Sequence, residues 1–265
     1  GALHVVWTEE VAGGSHVAHA VAQGGGFGPA ELLTAGQGNV SRRTPCLVPE
    51  GDRLRVLWQD RRLGRQRIFE TWQVAPAAQP RGLEAPRVAA APGGDPGRPD
   101  VALAADGALH VCWAVDAGGN QEIFHAVAPA PGAPFAAAEN LSRSPTGSHA
   151  PAIAAAGRGL VAAWEEQGQA GATIVRAERG PAGSVWSSPA VVSSGVPAYA
   201  PRLAGAPDGR AAMVWTEQVA PGDHDLRLAR KDAGAWSAPT PLAARSGASA
   251  WSPDVALGAA LAVAW

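Results

Sequence analysis

Five prolines, Pro45, Pro99, Pro151, Pro201 and Pro253, stand at matching places in the chain, and the residue two before each differs: Arg43, Gly97, His149, Tyr199 and Trp251. Arg98 and Arg202 flank two of the same prolines. A recurring frame that carries changing polar and aromatic side chains is what a ligand-reading ring needs. Arg43, Arg98, His149, Tyr199 and Trp251 are therefore the candidate ligand-binding residues. Arg202 follows its proline, so strict strand alternation points it away from the side used by Tyr199. A second set is acidic: Glu9, Asp60, Glu166 and Glu217 each lie two residues after a tryptophan, with Val115 breaking the pattern and Asp116 following it. Paired carboxylates can do acid and base work, but a residue repeated in nearly every copy is expected to satisfy backbone donors in a turn. His4 and His110 occupy equivalent places in GALHVVW and GALHVCW, and no His-x-x-x-His or Cys-x-x-Cys spacing suggests zinc. No catalytic residue, metal or cofactor is assigned.

The elements that must position these residues are set by a period. Tryptophans 7, 58, 113, 164, 215 and 265 are 51, 55, 51, 51 and 50 residues apart. Each closes an apolar strand, such as DRLRVLW or GRAAMVW, and ahead of it runs a Pro-led strand ending in an Asp-Gly or Gly-rich turn, as in PDVALAADG. After the tryptophan comes an alternating segment, as in EIFHAVAP, and then a fourth short strand opened by FGPAELL, FAAAENLS, VWSSPAVVS or AWSAPTPLA. Proline falls where a strand starts or runs along an edge. Four antiparallel strands per roughly fifty residues, repeated with short turns, predict an all-β chain folded as a β-propeller of four-stranded antiparallel blades. The inventory of twenty-one strands favours five blades over six. The whole of residues 1–265 is expected to be one propeller domain, with repeats at about 1–42, 43–96, 97–148, 149–198 and 199–250 and a partial copy at 251–265. The tryptophans inside the array are expected to be buried between blades, whereas Trp72 and Trp251, which do not repeat, are the ones expected to be exposed for contact.

Composition agrees with many short elements, since Gly 33 and Pro 23 accompany 46% hydrophobic residues. A formal charge of −2 with interspersed signs gives no footprint for nucleic acid, and no apolar stretch is long enough to span a membrane as a helix. Cys46 and Cys112 lie inside predicted strands of different repeats, where a small buried thiol is expected. Because the chain opens on Gly1, it is expected to be a processed form, a domain or a fragment.

The clearest copy of the repeat, GNQEIFHAVAPAPGAPFAAAENLSRSPTGSHAPAIAAAGRGLVAAW at 119–164, resembles the sialidase-like, Asp-box-type (BNR) repeat propellers of bacterial exported proteins. The likeness covers essentially the whole chain, although the turns corresponding to the Asp box, APAPGAPF, AQGGGF and RGPAGSVW, lack its Ser and Asp. It implies an extracellular or periplasmic location. It also implies an arginine set holding a carboxylate, to which Arg43 in RRTP is similar, and a tyrosine nucleophile, for which Tyr199 is the only tyrosine. A shared scaffold does not carry chemistry with it. The function expected from sequence is accordingly a non-catalytic binding or interaction propeller, not an enzyme, recognising a glycan or a protein at the channel mouth. The alternatives are a sialidase-like glycoside hydrolase and a structural subunit of a larger assembly.

Overall fold

The computed structural model describes residues 2–12, 14–35, 40, 45–50, 53–74, 87–90, 94–181, 184–242 and 250–265. These form six antiparallel sheets in chain order, and no helix long and apolar enough to cross a membrane occurs among them. The second sheet pairs Cys46–Glu50, Arg53–Asp60, Arg67–Val74 and Arg87–Ala90 in sequence. The third pairs Asp100–Leu103, Leu109–Asp116, Gln121–Ala128 and Glu139–Asn140, and the fourth Ser148–Ala156, Gly159–Gly168, Gly171–Arg179 and Ala190–Val191. In the fifth, Ala198–Gly205, Ala211–Ala220, Asp223–Asp232 and Ala235–Trp236 are joined by Thr240–Pro241. Among the described residues the first sheet starts at the second position of the repeat, with His4–Val11 and Gly14–Gln23, and the sixth holds only Asp254–Leu257 and Leu261–Ala264. Those two partial sheets are not paired with each other, and together they supply one inner strand and two second strands, the inventory behind the preference for five blades.

The Pro-led strands of the second to sixth sheets lie side by side, each against the next, as the inner strands of an all-β, propeller-like array. Their approach is close. A Cβ on Gly205 would overlap the carbonyl oxygen of Ala155 on the neighbouring inner strand, so only glycine fits there.

Each tryptophan inside the array sits in the layer between its own sheet and the one before it, as Trp113 does among Leu57, Ile68 and Val111. Trp58, Trp113, Trp164 and Trp215 are fully buried. Trp265, at the end of the array, is 63% exposed. Burying an indole also buries its N–H, which must find an acceptor. The acid two residues on supplies it: Trp58 Nε1 donates to Asp60 at 3.2 Å, Trp164 to Glu166 at 2.9 Å and Trp215 to Glu217 at 3.0 Å. Service to the turn backbone, the role expected of these acids, comes second to the indole. Glu217 also accepts from the backbone N–H of Ser194, and Asp60 from that of Arg62. Where Val115 breaks the pattern, the Nε1 of Trp113 is buried without a partner.

A second repeated contact joins sheets farther out. The aromatic residue that opens the outer segment of one sheet lies on a basic side chain of the sheet before. Phe135 lies under the Arg55 guanidinium at 4.5 Å, Trp236 under Arg176 at 4.6 Å, and Trp186 meets the His125 ring edge-on at 5.3 Å. Arg55 is itself buried between Glu50 at 3.0 Å and Glu70 at 2.5 Å. Trp72 was expected to be exposed, but it is 2% exposed: it lies 4.7 Å under Arg55 and donates to Glu50.

In the third sheet the slot of Arg55 and Glu70 is filled by His110 and His125, stacked with Nδ1 to Nε2 at 2.9 Å, and His125 Nδ1 meets Glu139 at 2.9 Å. His4 and His19 repeat the stack in the first sheet. Burial, with the charges of His125 and Arg179 added, pushes His110 down to about 4 from its ordinary 6.5, against a small upward pull from Asp106. Burial also lowers His125, although Glu139 resists.

Two outcomes follow from this packing. Trp164→Ala should cost about 3–5 kcal/mol of stability, read as a lower urea midpoint. The unfolded chain takes up a proton on His110 below 6.5 while the folded chain resists until about 4, so its contribution is whole above 6.5 and is withdrawn as pH falls through that window. The urea midpoint of the native protein should drop more steeply between those pH values than that of His110→Gln. Parallel slopes would show that His110 is not the titrating element.

Candidate functional site

Each inner strand of the fourth to sixth sheets enters through the same local device. Ala150, Ala200 and Ser252 precede Pro151, Pro201 and Pro253 and have φ of 46°, 51° and 51°. That region is unfavourable for a residue with a Cβ, and the following proline disfavours helical conformations there as well. The strain is held by the sheet. The register slips between His149 and Ala152 and between Tyr199 and Arg202, a bulge at both entrances, and Glu165 of the fourth sheet accepts the Ala200 N–H at 2.7 Å. Bulges re-aim side chains at the ends of strands. Here they decide where His149, Tyr199 and Arg202 point.

The entrances of the third to fifth sheets, with the turn that follows Arg53–Asp60 in the second, enclose a cleft of about 580 Å³ lined by Arg61, Arg98, Arg202 and His149, with Asp95 as the one acid among its described lining residues and glutamines 59, 66 and 121 between them. Arg202 therefore shares the cleft with Arg98 and His149. Strict alternation aimed it elsewhere, and the bulge after Tyr199 supplies the extra residue that turns it in. Asp100, one residue past Pro99, is partly exposed beside the two arginines and accepts the Ile153 N–H at 2.8 Å. Burial raises its carboxyl above the usual carboxylate range, against the N–H groups of Ile153 and Val101 and the charges of Arg98 and Arg202. Burial and then the charge of Arg98 lower Arg202, while Asp100 and Asp254 pull it back. The buried Nε of Arg98 has no hydrogen-bond partner.

A second cluster lies farther round the same rim. Tyr199, His224 and Trp251 form three ring contacts, with centroids 6.5 Å apart for Tyr199 and His224, 6.4 Å for Tyr199 and Trp251 and 3.8 Å for His224 and Trp251. Trp251 is 48% exposed, as expected of a tryptophan outside the repeat. The five candidate residues thus divide. Arg98 and His149 meet in the cleft, Tyr199 and Trp251 meet on the aromatic rim, and Arg43 lies outside the described residues.

Sequence reasoning passed over Arg61, Asp100 and His224. The signal for Asp100 was present, because the position after the proline reads Cys46, Asp100, Ala152, Arg202 and Asp254, as variable as the position two before it. The thiols of Cys46 and Cys112 are buried and free, and burial pushes Cys46 up to about 12. Among the described residues no group of three metal-binding side chains occurs.

No family model and no curated protein matches the chain. Solved structures do match. A thermostable family-43 glycoside hydrolase aligns over 88% of this chain and 92% of its own, with a TM-score of 0.52 and 11% identity. An endo-arabinase from Bacteroides thetaiotaomicron aligns over 93% and 96%, with a TM-score of 0.51 and 12% identity. A family-25 polysaccharide lyase, an ulvan lyase, aligns over 88% and 67%, with a TM-score of 0.60 and 8% identity. At such identities the likeness is one of fold. It supports a propeller-type fold used by glycan-active proteins and does not single out the sialidases. It also corrects the expected function, because in each of these proteins the fold carries an enzyme that cuts glycans, and the expectation of a non-catalytic binding module that is not an enzyme gives way.

The strained entrance yields a direct test. Ala200→Val places a β-branched side chain at positive φ and should cost about 1–3 kcal/mol, whereas Ala200→Gly should not. Equal losses for the two in urea unfolding would show that the entrance is not strained.

Proposed function

We propose that the chain is a glycan-cleaving enzyme whose site is the arginine-lined cleft, and that it acts on a sugar bearing a carboxylate. The observation that carries this reading is the buried, unpartnered Nε of Arg98 beside the half-buried Arg202. Guanidinium groups withdrawn from water need an anion, and a carboxylate meets their planar forks with paired hydrogen bonds. The proton for the leaving glycosidic oxygen is assigned to Asp100, which interacts electrostatically with both arginines from just behind the cleft lining. Arg98 and Arg202 hold the carboxylate in this reading, and Tyr199, the tyrosine that a sialidase-like reaction would use as nucleophile, is not among the residues that line the cleft.

A second reading is favoured by the position of His149, which lines the cleft where Tyr199 does not. An imidazole facing a carboxylate held by two arginines suits removal of the neighbouring carbon-bound proton, the first step of eliminative cleavage of a uronate chain. The ulvan lyase was solved bound to a GlcA(1-4)Rha3S repeat.

The experiment is incubation with a fluorogenic sialoside and with uronate polysaccharides, following fluorophore release, new reducing ends and the ultraviolet absorbance of unsaturated products. Turnover should occur on carboxylate-bearing substrates and not on their neutral counterparts. Arg202→Ala should lower kcat/KM about 10- to 100-fold, and Asp100→Asn should abolish turnover. Cleavage of neutral glycans alone, or activity indifferent to the joint loss of Arg98 and Arg202, would overturn the reading.

A further inference from the structure

The aromatic rim is not used by the cleft chemistry, and its geometry is unusual for packing. Buried tryptophans of the array sit inside the layers between sheets, but Trp251 keeps 48% of its surface exposed while its other face meets His224 at 3.8 Å. His224 is buried beneath it, and Tyr199 extends the surface at a tilt of 35° to Trp251. The platform is also joined to the cleft by a strand. Tyr199 and Arg202 belong to one strand, and three residues of strand span about 10 Å. Both residues are aimed by the same bulge, and Ser252, at positive φ, sets Trp251 as Ala200 sets Tyr199. Aromatic faces bind the apolar faces of sugar rings and offer nothing to a carboxylate, so the two parts of the rim select different units.

We propose that Tyr199, His224 and Trp251 form a second sugar subsite that stacks an uncharged unit next to the acidic unit held by Arg98 and Arg202. This rests on the reading of the cleft as an acidic-glycan site. The substrate class that follows is a heteroglycan in which a carboxylate-bearing residue adjoins a neutral one, in preference to an isolated acidic sugar or a chain of acidic units alone.

The test is titration calorimetry with two probe pairs: free N-acetylneuraminic acid against 3′-sialyllactose, and free glucuronic acid against a hyaluronan hexasaccharide, whose uronates alternate with uncharged amino sugars. The native protein should bind the longer member of at least one pair roughly tenfold or more tightly than its monosaccharide. Trp251→Ala should reduce that gain to under about threefold while leaving the monosaccharide affinity unchanged, and Trp251→Phe should retain most of it. A gain that survives Trp251→Ala, or no gain in the native protein although the monosaccharide binds, overturns the subsite and leaves the cleft reading standing. Binding to none of the four probes overturns both.

Discussion

Disposal of one indole N–H per sheet is the constraint on which the rest of this structure depends. A tryptophan between two sheets is among the largest side chains buried in that layer, but burying its N–H costs free energy unless an acceptor meets it. The acid two residues farther along does this for Trp58, Trp164 and Trp215; Asp60 also binds Arg62 in the turn that follows, whereas Glu166 and Glu217 also bind the segment that leads into the inner strand, through Ser144, Ser148 and Ser194. Glu217 shows the balance. Burial works against its charge, yet hydrogen bonds from Trp215, Ser194 and Arg227 outweigh it and hold the carboxyl below its ordinary range. The contact thus ties the tryptophan layer to the segments beside the inner-strand entrances. Arg61, which lines the cleft, directly follows Asp60.

Much of this was legible because a repeat exposes its own scaffold. A residue that returns every fifty or so positions with the same neighbours is held by the same packing, and Trp58, Trp113, Trp164 and Trp215 are buried for that reason. What sequence could not supply is the identity of partners on the adjacent sheet. Trp72 looks singular along the chain and therefore available, yet it is buried because Arg55 across the ladder brings it under a guanidinium also covered by Phe135 from the next sheet. The acids after the tryptophans were assigned to turns, when their first partner is the indole two residues back.

The cleft was half legible, and the reason is local geometry. Alternation along a strand assumes an unbroken register, and Arg202 follows a bulge that breaks it. No residue type announces that bulge in advance, because Ala150, Ala200 and Ser252 are ordinary side chains held at positive φ by the sheet and by acceptors such as Glu165. The proline beside each was visible, but a residue before proline is expected to be extended, not left-handed. The strain can persist because neighbouring strands over-determine it, which is the circumstance in which strained backbone collects at the ends of inner strands.

The same reasoning separates the two kinds of charge in the molecule. Arg55 is fully paired, by Glu50 and Glu70, and covered by aromatic rings on both faces, so nothing remains for a ligand to satisfy. Arg98 and Arg202 have no such enclosure. Their nearby carboxyl, Asp100, already accepts a backbone N–H from the next sheet and is itself pushed toward the protonated state by burial. Asp254 of the sixth sheet also draws on Arg202, and Asp95 on the cleft wall accepts the Gln66 N–H. The described cleft lining carries Arg61, Arg98 and Arg202 against the carboxylate of Asp95, among side chains that change from repeat to repeat. A folded chain tolerates such a surplus most readily where an anion completes it, and the strained entrances set that surplus at the ends of the inner strands.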